Sequence, residues 1–234
     1  MTKYVLSLDG GGVRGLASAN FLRKLEYEMH KPLLEKFDLV CGSSTGGILA
    51  IALSVLKLNG SRLVNIYSSR NLKRIFSSSM PRLVGPKYGG RRKNNVLREY
   101  FGALTLNEAD TPAIAVSYDL KKRSTRLFKT FEDKHLKAWK VASATSAAPT
   151  FFPAVKIEEN WYIDGAISSN NPVLIAYAEA KKLWPDENIK VLSIGTGFDS
   201  KSFKGNSTKN WGIFSWLRGG IIQVLMESNS EHLI

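Results

Sequence analysis

Apolar residues follow two spacings along the chain, and the two alternate. Residues 4–8 are rich in Tyr, Val and Leu and stop at Gly10–Gly12, the pattern of a buried strand entering a tight loop. From Val13 to Met29 the apolar positions Leu16, Ala19, Leu22, Leu25 and Met29 recur at helical spacing. The short apolar run Phe37–Cys41 predicts a second strand, Gly42–Gly47 a turn, and Ile48–Leu58 a strongly apolar helix. Strand, glycine loop, helix, strand, tight turn and helix, in that order, favour a parallel sheet covered by helices.

The same reading continues with weaker contrast. Helices are expected around Leu63–Tyr67 and Val96–Phe101. Between them, Met80–Asn95 carries prolines, glycines and five basic residues and reads as an exposed loop. Ala113–Asp119 and Thr125–Lys129 predict two strands joined by the polar turn Leu120–Ser124. Ala138–Ala148 suits a helix of small residues, and Tyr162–Ala166 ends a short strand in a turn. Pro172–Leu183 predicts a helix with proline in its first turn, and Lys190–Ile194 a late strand. There is no internal repeat, so one domain over residues 1–234 is expected, with a helical segment at about 209–234.

Composition narrows the class without choosing a function. The chain has 234 residues, 44% hydrophobic and 23% charged, as expected of a soluble globular protein. No stretch approaches the roughly 20 apolar residues that span a bilayer, and the N-terminus reads as a first strand, not a signal peptide. Any membrane contact is therefore expected to be peripheral, and the expected setting is cytoplasmic. The net charge of +13 suits nucleic acid, anionic membrane surfaces or acidic substrates alike. Cys41 is the single cysteine, so no intramolecular disulfide forms, which is compatible with a reducing compartment.

Three short segments carry candidate chemistry. Gly42-Ser43-Ser44-Thr45-Gly46 is a Gly-x-Ser-x-Gly pattern with a strand before it and an apolar helix after it. That is the setting of a nucleophile elbow, in which a strained turn lifts the serine hydroxyl clear of the sheet. Glycine and serine also make ordinary turns, so the pattern alone leaves both readings open. Asp9-Gly10-Gly11-Gly12-Val13-Arg14-Gly15 contains Gly-x-Gly-x-x-Gly, the spacing of a dinucleotide loop. Such a fold wants an acidic residue beyond the glycines at the end of the next strand, and Asp38 lies at the start of that strand. Bare amides beside a serine are better used as an oxyanion hole. A serine nucleophile needs a base. His30 and His135 lie in charged or polar stretches and His232 near the end, while Asp164, in Tyr162-Ile163-Asp164-Gly165-Ala166, ends a strand next to a glycine.

Together these segments resemble the patatin-like phospholipase family. The Asp-Gly-Gly-Gly-x-Arg-Gly loop stands at residues 9–15, Gly-x-Ser-x-Gly at 42–46 and Asp-Gly-Ala at 164–166, in the family's order. Ser-Ala-Ala-Pro-Thr-Phe-Phe-Pro at 146–153 is similar to the segment that precedes the family's aspartate motif. The resemblance runs from about residue 4 to 197. It implies a three-layer α/β fold with a mainly parallel central sheet, and a Ser44–Asp164 dyad without histidine. It implies an oxyanion hole from the amides of Gly10, Gly11 and Gly12 with Arg14 in the same loop, an elbow framed by Gly42 and Gly46, and Gly165 and Ala166 shaping the aspartate turn. It also implies phospholipid or other acyl-lipid substrates and no metal or cofactor.

A lipid substrate gives the basic charge a role. Lys87, Arg91, Arg92 and Lys93 cluster in the expected central loop, and Lys121, Lys122 and Arg123 at the hairpin tip, where they suit an anionic membrane surface. Trp211–Arg218 places two tryptophans among apolar residues, which fits core packing or an interfacial anchor. Three other readings remain. One is an α/β-hydrolase with a Ser44–Asp–His232 triad. Another is a basic nucleic-acid-binding module, although no reader motif is present and no nucleic-acid partner is expected. The third is a non-catalytic lipid-binding relative, against which Ser44 and Asp164 both speak.

Overall fold

The computed structural model describes residues 1–77, 85–197, 205–209, 211–212, 215 and 219–231. Among the described residues seven strands form one sheet: β1 (Thr2–Leu8), β2 (Leu39–Ser43), β3 (Ala113–Asp119), β4 (Ser124–Lys129), β5 (Val155–Ile157), β6 (Asn160–Asp164) and β7 (Asn188–Ile194). Their order is β5-β6-β3-β2-β1-β7, with β4 also paired to β3. β7, β1, β2 and β3 are parallel to their neighbours in that run, while β4, β5 and β6 join antiparallel. The sheet is therefore mixed, a parallel half extended by an antiparallel one.

Helices α1 (Gly15–Met29), α2 (Thr45–Leu56), α3 (Gly60–Ile66), α4 (Ser69–Ile75), α5 (Gly90–Phe101), α6 (Ala138–Thr145) and α7 (Val173–Leu183) cover the sheet. The period-two alternation of the strands divides them into layers. Leu6, Leu8, Val40, Ala113 and Ala115 pack with residues of α1, α2, α3, α5 and α6. The intervening Val5, Leu39, Cys41, Ile114 and Val116 pack with Ala176 and Ala180 of α7. Both sides of the central strands are thus buried, which is why β1 and β2 read as near-continuous apolar runs. A further helix, Ile221–Glu231, contacts the turn Gly165–Ile167. Among the described residues no helix is long and apolar enough to cross a membrane.

Strand β3 acts as the ruler of the sheet. One of its edges pairs with β4 from Ile114 to Asp119. The other edge is shared. β2 occupies its first half and ends with Ser43 beside Val116, and β6 occupies its second half with Asp164 opposite Ser117. β2 and β6 therefore run at each other along one edge, and their ends meet at adjacent positions of β3. Gly42–Ser43 belongs to β2 and Thr45 opens α2, so the expected turn contracts to Ser44 alone.

Of the strands and helices named above, α4 and β5 lie outside the sequence expectation. α4 is seven residues long, and its start is set by Ser68, whose side chain accepts from the Asn71 amide. β5 has three residues, too few for a recognisable alternation. The expected loop over Met80–Asn95 is corrected over its second part, because α5 begins at Gly90; residues 78–84 lie outside the described residues.

Close backbone packing explains the elbow glycines. A Cβ on Gly42 would lie 2.1 Å from the Gly46 carbonyl oxygen, and one on Gly46 would lie 2.1 Å from the Leu8 carbonyl oxygen. Both obstacles are main chain, which cannot rotate away. Gly46→Ala is expected to lower the unfolding free energy by about 3 kcal/mol through strain in the β1–α2 packing. Urea denaturation measures this, and a midpoint equal to that of the wild type contradicts the close approach.

Candidate active site

Ser44 stands between the end of β2 and the start of α2 with φ 53° and ψ −119°. A non-glycine residue rarely holds such a conformation, and here the flanking strand and helix impose it. The Ser44 amide donates to Thr145 Oγ1 at 3.1 Å, and Thr145 in turn donates to the Val116 carbonyl of β3. The side chain of Ser44 donates to Asp164 Oδ2 at 2.7 Å. The other Asp164 oxygen accepts the Ala166 amide at 2.9 Å, which turns the chain at Gly165. The Asp164 amide donates to the Ala147 carbonyl at 3.1 Å.

This carboxylate is fully buried, and Ser44 is 5% exposed. Burial pushes Asp164 up to about 6, against the opposing pull of the Ala166 amide, the Ser44 hydroxyl and the Lys93 ammonium. A base of that strength is better matched to a serine hydroxyl than a solvated carboxylate. Nearby Asp9 is raised to about 7 by burial.

The glycine loop reaches the same place. Gly11, Gly12 and Arg14 line a cavity of about 540 Å³ whose wall also includes Ser44 and Asp164. The Gly10 amide donates to the Asn170 carbonyl at 2.9 Å, so that N–H is engaged within the fold. Apolar side chains form most of the cavity wall, among them Ile48, Leu72, Ile75, Phe76, Leu97, Phe101 and Phe151. The size and lining suit a small apolar ligand or a segment of a longer one. Asp38, which a nucleotide fold would turn toward a ribose, instead pairs with Lys3 at 2.9 Å and accepts the Tyr4 amide at 2.8 Å.

Two of the three histidines are described, and neither lines the cavity. His30 caps α1, and His135 is exposed and meets Glu158 at 2.9 Å. His232 and most of Trp211–Arg218 lie outside the described residues. The basic cluster divides. Arg91 and Arg92 are exposed at the start of α5, and Lys121, Lys122 and Arg123 are exposed at the β3–β4 tip. Lys93 is corrected: it is 4% exposed, lies on α5 and lines the cavity, because its place on that helix faces inward. Thr145 and Ala147 are further residues that the sequence reading missed. They sit in a run of small residues with no pattern that marks a contact to Ser44 or Asp164.

Comparison with known proteins shows the family. The patatin-like phospholipase family model matches residues 6–177. Patatin-like protein 2 of rice (Oryza sativa subsp. indica) is 32% identical over 270 residues, covering 92% of this chain and 66% of that protein. A protein of Pseudomonas aeruginosa named cGAMP-activated phospholipase is 31% identical over 250 residues, covering all of this chain and 74% of that one. The chain thus spans about two thirds of the length of the rice relative. Among solved structures, VipD from Legionella pneumophila shares the fold with a TM-score of 0.62 at 11% identity, over 95% of this chain and 55% of its own.

The raised Asp164 makes a stability prediction with a definite sign. The folded state holds the proton more tightly than the unfolded chain, so this contribution is present below pH about 4 and is lost as pH rises through about 6. Asp164→Asn removes the buried charge and keeps an acceptor for the Ala166 amide. It is expected to stabilise the protein at pH 7.5 by up to about 3 kcal/mol and to flatten the wild-type decline between pH 4 and 6. Thermal unfolding across that range checks it. A variant less stable than wild type at pH 7.5 contradicts the burial of a charged carboxylate.

Proposed function

Because this chain belongs to the patatin-like phospholipase family, we propose that it is a lipid acyl hydrolase of the phospholipase A, lysophospholipase or esterase kind, working through Ser44 and Asp164. The observation that carries this reading is the 2.7 Å hydrogen bond from the Ser44 hydroxyl to a buried Asp164 in the wall of an apolar cavity. The name of the Pseudomonas relative supports the same class of activity.

In this reading the acyl chain lies in the cavity and its carbonyl stands over Ser44. Asp164 accepts the serine proton as Oγ attacks the carbonyl carbon. The developing oxyanion faces Gly11 and Gly12, whose amides are the candidate donors, since that of Gly10 is engaged. Collapse of the tetrahedral adduct breaks the ester bond, and the proton on Asp164 passes to the departing alcohol or lysolipid. Water then attacks acyl-Ser44, Asp164 takes its proton, and the fatty acid leaves as the proton returns to Oγ. A carboxylate raised to about 6 by burial supplies this base without histidine. Exclusion of water by the apolar wall strengthens each of these interactions.

Peripheral contact with an anionic membrane belongs to the same proposal. The exposed Lys121, Lys122 and Arg123 suit it, together with Arg91 and Arg92. Binding to anionic liposomes that weakens with salt supports it, whereas salt-insensitive binding, or none, counts against it.

The direct test is hydrolysis of p-nitrophenyl acyl esters and labelling by a fluorophosphonate. Ser44→Ala and Asp164→Ala are each expected to lower kcat by about 10³-fold or more, with the wild-type adduct mapped to Ser44 by mass spectrometry. His135→Ala and His232→Ala are expected to keep full activity. Full activity in Asp164→Ala, or its loss in His232→Ala, overturns the dyad.

A further inference from the structure

Lys93 is a buried cation that the hydrolytic steps above do not use. Its three N–H groups are matched by three neutral acceptors at the end of α6. Nζ donates to the Ser143 carbonyl at 2.9 Å, the Ser146 carbonyl at 2.9 Å and Ser146 Oγ at 3.2 Å. The Phe152 ring lies 4.6 Å from the same nitrogen. The carbonyl end of a helix is a favourable place for positive charge.

The segment it grips, residues 143–147, also holds both members of the reactive pair. Thr145 receives the Ser44 amide, and Ala147 receives the Asp164 amide. A second bond from α5 reinforces the grip, since Asn94 accepts the Ser143 hydroxyl. We propose that Lys93 is a positioning residue for the Ser44–Asp164 pair: its side chain clamps residues 143–147, whose Thr145 and Ala147 hold the amides of Ser44 and Asp164. This rests on the hydrolase reading above.

The electrostatic surroundings single out this lysine. Among the described residues, the charged and titratable side chains lining the cavity are Arg14, Tyr67, Lys93, Tyr100 and Asp164. On the helices packed against α5, Arg70 and Lys73 of α4 are exposed and Arg74 pairs with Glu99, while Lys140 of α6 stands beside Trp139. Burial lowers Lys93 to about 7, and Asp164 opposes that shift, while Lys93 draws Asp164 downward in turn. Each group thus favours the charged form of the other. A lysine that served only to pack α5 on α6 would affect stability and leave the titration of Asp164 in place.

The experiment is the rate of fluorophosphonate labelling of Ser44 against pH in the wild type, K93M and K93R. The acid limb of the wild type should fall near the Asp164 value of about 6. In K93M the limb should move up by about one pH unit, because a nearby opposite charge is gone. The plateau kcat on a soluble ester should fall about tenfold with KM within about twofold. K93R restores the charge and should return the limb toward its wild-type position. A second measurement needs neither turnover nor a variant: the ¹³C resonance of the Asp164 carboxyl in the wild-type protein should show a second inflection where Lys93 loses its proton. A folded K93M with an unmoved limb overturns the proposal, and so does a single inflection at Asp164. If K93M does not fold, the carboxyl titration decides alone. A wild type unlabelled at Ser44 across the pH range sinks the hydrolase reading, and the same titration still reports whether Lys93 and Asp164 are coupled.

Discussion

The site depends on one shared strand edge. β2 and β6 approach each other along the same side of β3, and the ladder stops one of them at Val116 and the other at Ser117. Ser44 follows the last residue of β2, and Asp164 is the last residue of β6. Their separation is therefore fixed by main-chain hydrogen bonds, which hold geometry more firmly than side-chain packing does. A parallel strand and an antiparallel strand are both required, since two parallel neighbours could not bring their C-terminal ends together on one edge. The mixed character of the sheet is thus the feature that places a serine and an aspartate in contact.

Ordering the pair comes with two local costs. Ser44 holds a positive φ, and Asp164 is a carboxylate removed from water. Costs of this kind persist only where the surroundings over-determine the geometry. Thr145 joins the elbow to β3, Ala147 joins the aspartate to the same segment, and Gly42 and Gly46 let the backbones close around the turn. In the proposed mechanism the buried charge has a chemical return. A solvated aspartate is too weak a base to draw a proton from serine, and desolvation raises it toward the range where histidine normally serves. In that mechanism instability and reactivity at Asp164 have one cause.

Much of this was legible in the chain because the informative signals are local. Glycines 10–12, Ser44 between Gly42 and Gly46, and Asp164 before Gly165 each lie at the end of an apolar run, so their place at strand ends follows from pattern alone. The pairing of β3 with β6 is not local: Ser117 and Asp164 are distant in sequence, and nothing in either segment names the other. Strand boundaries shifted for a related reason. Gly42-Ser43 reads as a turn by composition, yet β3 offers partners at Ala115 and Val116, and the ladder continues through the glycine. The fate of the Gly10 amide depends on Asn170, which no local pattern connects to it.

Lys93 shows where composition and periodicity compete. Beside Arg91 and Arg92 it looks like one more residue of a solvated basic run. Counted forward along α5, however, it falls in register with Val96, Leu97, Tyr100 and Phe101, at offsets of three, four, seven and eight. That is the spacing of one helix face. Val96, Leu97 and Phe101 are buried, and Lys93 shares their burial. Charge runs describe what a segment would prefer in water, whereas register describes which side chains have no water to meet. A buried lysine must then find acceptors, and the open carbonyls at the end of α6 are the groups a helix leaves unsatisfied. The contacts of Lys93 to residues 143–147 therefore follow from the inward register of one charged residue and the unpaired end of a neighbouring helix.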